Sequence, residues 1–119
     1  MYSDRLLDHF QNPRNVGDLK SPAVTVEVTN TACGDILRLS AVIEDSRVTT
    51  VAYKVRGCTA SIAAGSALTT LIGGKLLTDL SLLKPADIEA ALDGLPPESR
   101  HAAALCCDGI KALLRLRGQ

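Results

Sequence analysis

The sequence contains no apolar run of about 18 residues, the length that a helix needs to cross a bilayer. Its first residues, MYSDR, also lack the basic and then apolar layout of a secretory signal. We therefore expect a cytoplasmic protein. Cysteines persist as thiols in that reducing compartment, so the four in this chain indicate metal, redox or nucleophilic roles more than disulfides.

The chain also lacks net charge and is poor in aromatic residues. Thirteen basic residues balance thirteen acidic ones, and aromatics make up 3% of the composition, with no tryptophan. The electrostatic footprint and the stacking platforms of a nucleic-acid-binding protein are therefore missing. With 119 residues, 46% of them hydrophobic, the sequence predicts a single domain over residues 1–119, with neither nucleic acid nor membrane as a partner.

No Cys-x-x-Cys pair occurs, which excludes a zinc ribbon. Cys33 and Cys58 are separated by 25 positions, and Cys106 and Cys107 adjoin each other near the end. Isolated thiols of this kind can converge on one metal or sulfur species when the fold brings their elements together. The alternative is that all four are small buried hydrophobic side chains, a common use of cysteine.

The hydrophobic pattern predicts a helix followed by three strands. The helix covers residues 3–11, with Ser3 as its N-cap, and ends before Pro13. Alternation of apolar and polar residues predicts strands over 24–29, 37–43 and 51–55. Because the link between the last two strands is short and polar, a hairpin is expected there, and the sheet is predicted to be an antiparallel meander.

The second half of the chain is predicted to be helical. One helix covers 58–72, is rich in small residues and ends at a Gly-Gly pair. Others begin at Pro85 and after the Leu-Pro-Pro of 95–97, the last running to about Arg117. The predicted fold class is therefore α+β: a three-stranded antiparallel sheet with helices packed on one face.

This topology brings chemically active residues to one end of the sheet. Cys33 and Asp35 fall in the turn between the first two strands, where Gly34 can take a positive φ. Cys58 follows the third strand and starts a helix, whose free N–H groups and dipole stabilise a thiolate. Because a meander returns to the same end after every second strand, these residues are expected to converge. His101 and Cys106 on the last helix are further candidates, although an isolated histidine is more often a solvated helix residue.

Four segments carry a resemblance to a known family: residues 8–17 (DHFQNPRNVG), 33–35 (CGD), 57–63 (GCTASIA) and 95–97 (LPP). They resemble, in order and near spacing, the iron–sulfur cluster assembly scaffolds of the IscU and NifU N-terminal type. The resemblance implies the SufE/NifU-like fold and a scaffold role, not an enzyme. On such a scaffold a cysteine desulfurase delivers sulfur, iron joins it, and a cluster, [2Fe–2S] or related, is built and passed to apo-acceptor proteins.

The last helix departs from the family pattern. Matching it without gaps places His101 on the family's histidine and Ala102 on its third cluster cysteine. At about 100° per residue, Cys106 lies on the face of Ala102 one turn further on, whereas Cys107 points about 140° away. Cys106 is therefore predicted to replace the missing thiol. The expected cluster ligands are Cys33, Asp35, Cys58 and Cys106, and His101 joins them as a metal ligand.

Two alternatives stay open. In the first, zinc takes the place of the cluster in a SufU-like sulfur acceptor, held by Cys33, Asp35, Cys58 and one helix residue. The chain lacks the additional segment that SufU proteins usually have between their second and third cysteines, which favours the IscU/NifU branch. In the second, the chain is a module that binds a desulfurase and carries no cluster.

The resemblance also bears on partners. It implies a cysteine desulfurase, apo-acceptor proteins and an Hsp70-type chaperone system that reads the Leu-Pro-Pro segment. Glu98 and Ser99 follow the prolines where the family usually has Val-Lys, which puts dependence on the chaperone in question. The expected oligomeric state is a monomer or a weak homo-oligomer.

Overall fold

The computed structural model describes residues 1–31 and 34–116, and within them three strands form one antiparallel sheet in the order β1-β2-β3. The strands are β1 (Val24–Thr29), β2 (Ile36–Glu44) and β3 (Arg47–Arg56). The helices are α1 (Asp4–Gln11), α2 (Thr59–Ile72), α3 (Leu77–Leu80), α4 (Pro85–Ala91) and α5 (His101–Leu116). The predicted α+β class and antiparallel meander are confirmed.

The helix boundaries follow local chemistry. Ser3 caps α1, its Oγ accepting the Leu6 N–H at 3.0 Å, as the sequence predicts. α3 was not predicted, because four residues are too few to show helical periodicity. α5 begins later than the Leu-Pro-Pro segment because Pro97–Ser99 form a separate 3-10 turn before it.

The hairpin between β2 and β3 contains an irregularity that sets the register. Its two turn residues, Asp45 and Ser46, both have positive φ, of 52° and 60°, as a two-residue hairpin turn requires. Val42 pairs with Thr50, whereas the next residue, Ile43, pairs with Val48. Thr49 is therefore an extra residue, a β-bulge that shifts all the pairing beyond it by one position.

The core lies between one face of the sheet and two helices. α2 packs against β3, and α5 packs against β1 and β2. The small residues of α2 permit this close approach, since its core-facing alanines are fully buried. Tyr53 on β3 is also buried, and its hydroxyl donates to the Ile62 carbonyl of α2 at 2.8 Å. Helices therefore cover one sheet face, as predicted.

The segment after α1 lies along the outer edge of β3. The Gly17 N–H donates to the Tyr53 carbonyl, and the Tyr53 N–H donates to the Asn15 carbonyl, each at 2.9 Å. Asp18 then forms ion pairs with Arg38 and Lys54. In the described part of the chain, no helix is long and apolar enough to span a membrane.

Candidate metal centre

Among the described residues, three side chains with metal-binding atoms meet at the end of the sheet that holds the β1–β2 turn. Asp35 directly precedes β2, Cys58 directly precedes α2, and His101 is the first residue of α5. Cys58 Sγ lies 3.4 Å from Asp35 Oδ2 and 3.7 Å from His101 Nε2. The same Nε2 lies 3.4 Å from Asp35 Oδ2. One ligand atom from each residue is thus within 4.8 Å of the others.

The strand register explains why Asp35 and Cys58 meet. Ile36 pairs with Arg56, the last residue of β3. One step beyond this pair, Asp35 and Gly57 are neighbours, and Cys58 follows Gly57 directly. The sheet therefore delivers a carboxylate and a thiol to the same place from two strands.

Two backbone hydrogen bonds between described residues close the turn that joins β1 and β2. The Gly34 N–H donates to the Asn30 carbonyl at 2.7 Å, and the Asn30 N–H donates to the Asp35 carbonyl at 2.8 Å. Gly34 has a φ of +78°, which confirms the predicted left-handed position. Cys33, the first predicted ligand, lies outside the described residues, so its convergence with Asp35 stays a prediction.

Two residues with no predicted role hold the Asp35 carboxylate. Asp35 is only 6% exposed, and the buried Ser61 hydroxyl donates to its Oδ2 at 2.5 Å. A Cβ on Gly57 would lie 2.6 Å from Asp35 Cγ, so a side chain there would collide with the carboxylate. The available signal for Ser61 was its position three residues after Cys58, which places both on one side of the first turn of α2.

Cys58 and His101 form the accessible side of the centre. Cys58 is exposed and is the N-cap residue of α2, at the helix start that the sequence predicts. His101 Nδ1 lies 3.2 Å from the Glu98 carbonyl, which can only accept, so in the neutral ring Nδ1 carries the proton. Nε2 then presents its lone pair toward Cys58 and Asp35, the arrangement common to metal-binding histidines.

The structure does not bring Cys106 to this group. The face of α5 that carries Ala102 and Cys106 packs in the core, where these residues are 0% and 2% exposed. Burial, reinforced by the adjacent Cys107, raises the pKa of the Cys106 thiol far above its usual range. Cys107 is buried as well, and desolvation raises the pKa of its thiol. As helix geometry predicts, Cys106 lies one turn after Ala102 on the same face of α5. That face, however, contacts the sheet.

We therefore expect Cys106→Ala to lower stability without changing metal content. Removing one buried sulfur should cost about 1 kcal/mol of unfolding free energy. Urea unfolding and metal analysis of the same preparations would check both expectations, with Cys107→Ala as the matched control on the same helix. A loss of bound metal confined to Cys106→Ala would restore Cys106 as a ligand.

The donor set suits a transition metal. Zinc and iron both accept thiolate sulfur, imidazole nitrogen and carboxylate oxygen, and the three described residues supply one of each. The buried carboxylate lies beneath an exposed thiol, so a bound ion would be reachable from solvent. The centre can thus hold a metal ion whose other coordination positions are open to ligands from solvent.

Comparison with known proteins identifies the family. The model of the NifU-like N-terminal domain matches residues 1–115. The chain belongs to this family. The NifU-like chain is 34% identical over 111 residues to the iron–sulfur cluster assembly scaffold protein IscU 1 of Archaeoglobus fulgidus, covering 93% of this chain and 72% of that protein. It is 37% identical over 117 residues to the IscU scaffold protein of Haemophilus influenzae, covering 95% and 92% respectively.

Solved structures agree on the fold of this NifU-like chain. The crystal structure of FiSufU from Fervidobacterium islandicum AW-1 matches with a TM-score of 0.75 and 19% identity, over 93% of this chain and 94% of that one. A NifU-like protein from Brucella abortus matches with a TM-score of 0.65 and 21% identity, over 93% and 78%. The family model and the IscU relatives thus confirm the resemblance to the IscU/NifU family, and the solved structures confirm the fold.

Proposed function

We propose that this NifU-like chain is a scaffold for iron–sulfur cluster assembly. It receives sulfur from a cysteine desulfurase, binds iron, and passes the finished cluster to apo-proteins. The observation that carries the proposal is the convergence of Asp35, Cys58 and His101 within 4.8 Å of one another. Relatives named as iron–sulfur cluster assembly scaffolds, which cover most of the chain, support the same role.

The cluster is the cargo of this site, and four residues are proposed to hold it. Asp35, Cys58 and His101 are the described donors, and Cys33 is added because it lies two positions before Asp35 in the sequence. Cys106 is left out because its thiol lies in the core. Two thiols with one oxygen and one nitrogen donor give a [2Fe–2S] cluster two ligands for each iron.

The charge of Asp35 makes the cargo easier to release. Its carboxylate oxygen lies 3.4 Å from Cys58 Sγ, so its negative charge opposes the thiolate that holds the cluster. The carboxylate is also a harder, weaker donor toward sulfide-bridged iron than a thiolate is. Both effects favour transfer over storage.

Asp35→Ala should therefore make the cluster longer-lived. We expect transfer to an apo-ferredoxin to slow about tenfold, which corresponds to about 1.4 kcal/mol of activation free energy. Transfer can be followed by the circular dichroism of the acceptor's cluster after oxygen-free reconstitution. Asp8→Ala, which removes an exposed carboxylate outside the centre, is the control. Equal transfer rates in Asp35→Ala and the parent would argue against this role.

A zinc-binding sulfur acceptor is the second candidate function. The observation in its favour is that the described sulfur, oxygen and nitrogen donors lie close enough to bind a single ion, a mixed set that zinc accepts well. In that function Cys58, the exposed thiol, would receive sulfur from the desulfurase.

Metal and sulfide analysis after oxygen-free purification distinguishes these functions. Iron with acid-labile sulfide supports the scaffold, and zinc without sulfide supports the sulfur acceptor. Absence of both, also after reconstitution with iron, sulfide and thiol, would leave the third alternative, a desulfurase-binding module without a cluster. Titration with a cysteine desulfurase would then be the direct test of that module.

The segment 95–99, which contains the Leu-Pro-Pro sequence, exposes only part of its surface to a chaperone. Leu95 and Ser99 are buried, whereas Pro97 and Glu98 are exposed. An Hsp70-type partner would therefore meet an acidic turn in place of the usual Val-Lys. We propose that cluster transfer from this chain depends little on such a chaperone.

A further inference from the structure

The Ser61 hydroxyl lies beside the metal centre but is not one of the proposed metal ligands. Ser61 is 1% exposed, in the first turn of α2. Its Oγ lies 2.5 Å from Asp35 Oδ2 and 3.4 Å from Cys58 Sγ. A buried hydroxyl in contact with two proposed donors is placed to determine how they are oriented.

The Asp35 carboxylate is confined on two sides. Gly57 lies so close that even a Cβ there would be 2.7 Å from Oδ1 and 2.9 Å from Oδ2. Ser61 donates its hydrogen bond to Oδ2, the oxygen that also lies 3.4 Å from Cys58 Sγ and from His101 Nε2. The Gly57 backbone therefore limits how far the carboxylate can move toward β3. The hydroxyl thus bonds the same oxygen that faces the thiol and the imidazole.

We propose that Ser61 is a positioning residue that fixes the Asp35 carboxylate for capture of a single divalent cation. The inference rests on the proposed function, because it concerns the entry of the first metal ion into the same centre. The carboxylate charge attracts a lone cation, whereas it opposes the finished, thiolate-held cluster. Ser61 therefore acts on metal entry through Asp35 and is not itself a ligand.

The test measures Co²⁺ affinity by competition with a chromophoric chelator under reducing conditions. Ser61→Ala should bind Co²⁺ about 10- to 100-fold more weakly than the parent, the usual cost of losing a hydrogen bond to a metal ligand. The thiolate-to-cobalt charge-transfer band should persist in Ser61→Ala, because Cys58 is still present. Ser66→Ala is the matched control, since Ser66 is a buried serine of the same helix that contacts His9 and Arg14 instead of the centre.

A double-variant cycle with Asp35→Ala separates positioning from a structural effect. If Ser61 acts through Asp35, Ser61→Ala should cause no further loss of affinity once Asp35 is alanine. Parental affinity in Ser61→Ala, or an equal loss in both backgrounds, would overturn the inference while leaving the proposed function standing. A parent chain that binds neither Co²⁺ nor Zn²⁺ but still assembles a cluster from iron and sulfide would overturn the inference alone, and a parent chain that does neither would overturn the proposed function as well.

Discussion

Replacing Cys58 by serine should abolish retention of iron and sulfide while leaving the fold at least as stable as the parent. Cys58 supplies the sulfur of the described donor group, and a serine hydroxyl is a poor ligand for iron in a sulfide-bridged cluster. The side chain is exposed and makes no side-chain capping bond to α2. Serine is a preferred N-cap residue, so the substitution can add up to about 1 kcal/mol of stability.

The experiment combines reconstitution with thermal unfolding. Iron and sulfide per chain should fall to background in Cys58→Ser, and the melting temperature should stay equal or rise. Cys107→Ser is the control, because it changes a buried thiol outside the centre. If Cys58→Ser instead loses cooperative unfolding, the thiol is structural and the proposed centre is wrong.

Much of the fold could be predicted because each element has a strong local signal. Alternating valines mark β1, Asn12-Pro13 ends α1, and the small residues after Cys58 mark a helix that packs closely. The elements that were missed or displaced are short. α3 spans one turn, and the 3-10 turn Pro97–Ser99 delays the start of α5. Neither is long enough to impose a periodicity on the sequence.

The convergence of Asp35 with Cys58 could be predicted from topology, but the detailed geometry depends on the bulge. If Thr49 paired regularly with Val42 and did not bulge, Asp35 would align with Arg56 and its side chain would face the other way relative to β3. The bulge places Asp35 beside Gly57 instead. The sequence indicates the bulge only weakly. Val48 and Val51, which both face inward, are three residues apart, whereas the inward residues after Val51 follow at intervals of two.

Cys106 shows where helix geometry alone is insufficient. Cys106 and Ala102 do lie on one buried face of α5, but their spacing in the sequence does not show which neighbour that face contacts. The same face also carries Leu105, Ile110 and Leu113, all buried in the core. This apolar stripe was visible in the sequence and indicates a face that packs against the sheet. A cysteine that lies within such an apolar stripe is therefore expected to pack in the core and not to bind metal.

Gly57→Ala should disrupt the centre and destabilise the protein, although it adds only a methyl group. The new Cβ would lie 2.6 Å from Asp35 Cγ, well inside van der Waals contact, so the carboxylate must leave its position. The carboxylate would then lose the hydrogen bond from Ser61. We expect a cost of about 1–3 kcal/mol in unfolding free energy, typical of overpacking, together with a loss of Co²⁺ affinity as large as that of Asp35→Ala.

Making Gly57→Ala in an Asp35→Ala chain tests whether the collision with Asp35 causes the destabilisation. The three atoms nearest to the added Cβ all belong to the Asp35 carboxylate, and Gly57 does not have the positive φ that disfavours alanine. In an Asp35→Ala chain the same substitution should therefore cost nothing, and by restricting the unfolded chain it can stabilise by about 0.4–1 kcal/mol. Urea unfolding of the parent, the two single variants and the double variant measures whether the effect of Gly57→Ala on the unfolding free energy changes sign. An equal destabilisation in both backgrounds would mean that Gly57 is required by the backbone and not by the carboxylate beside it.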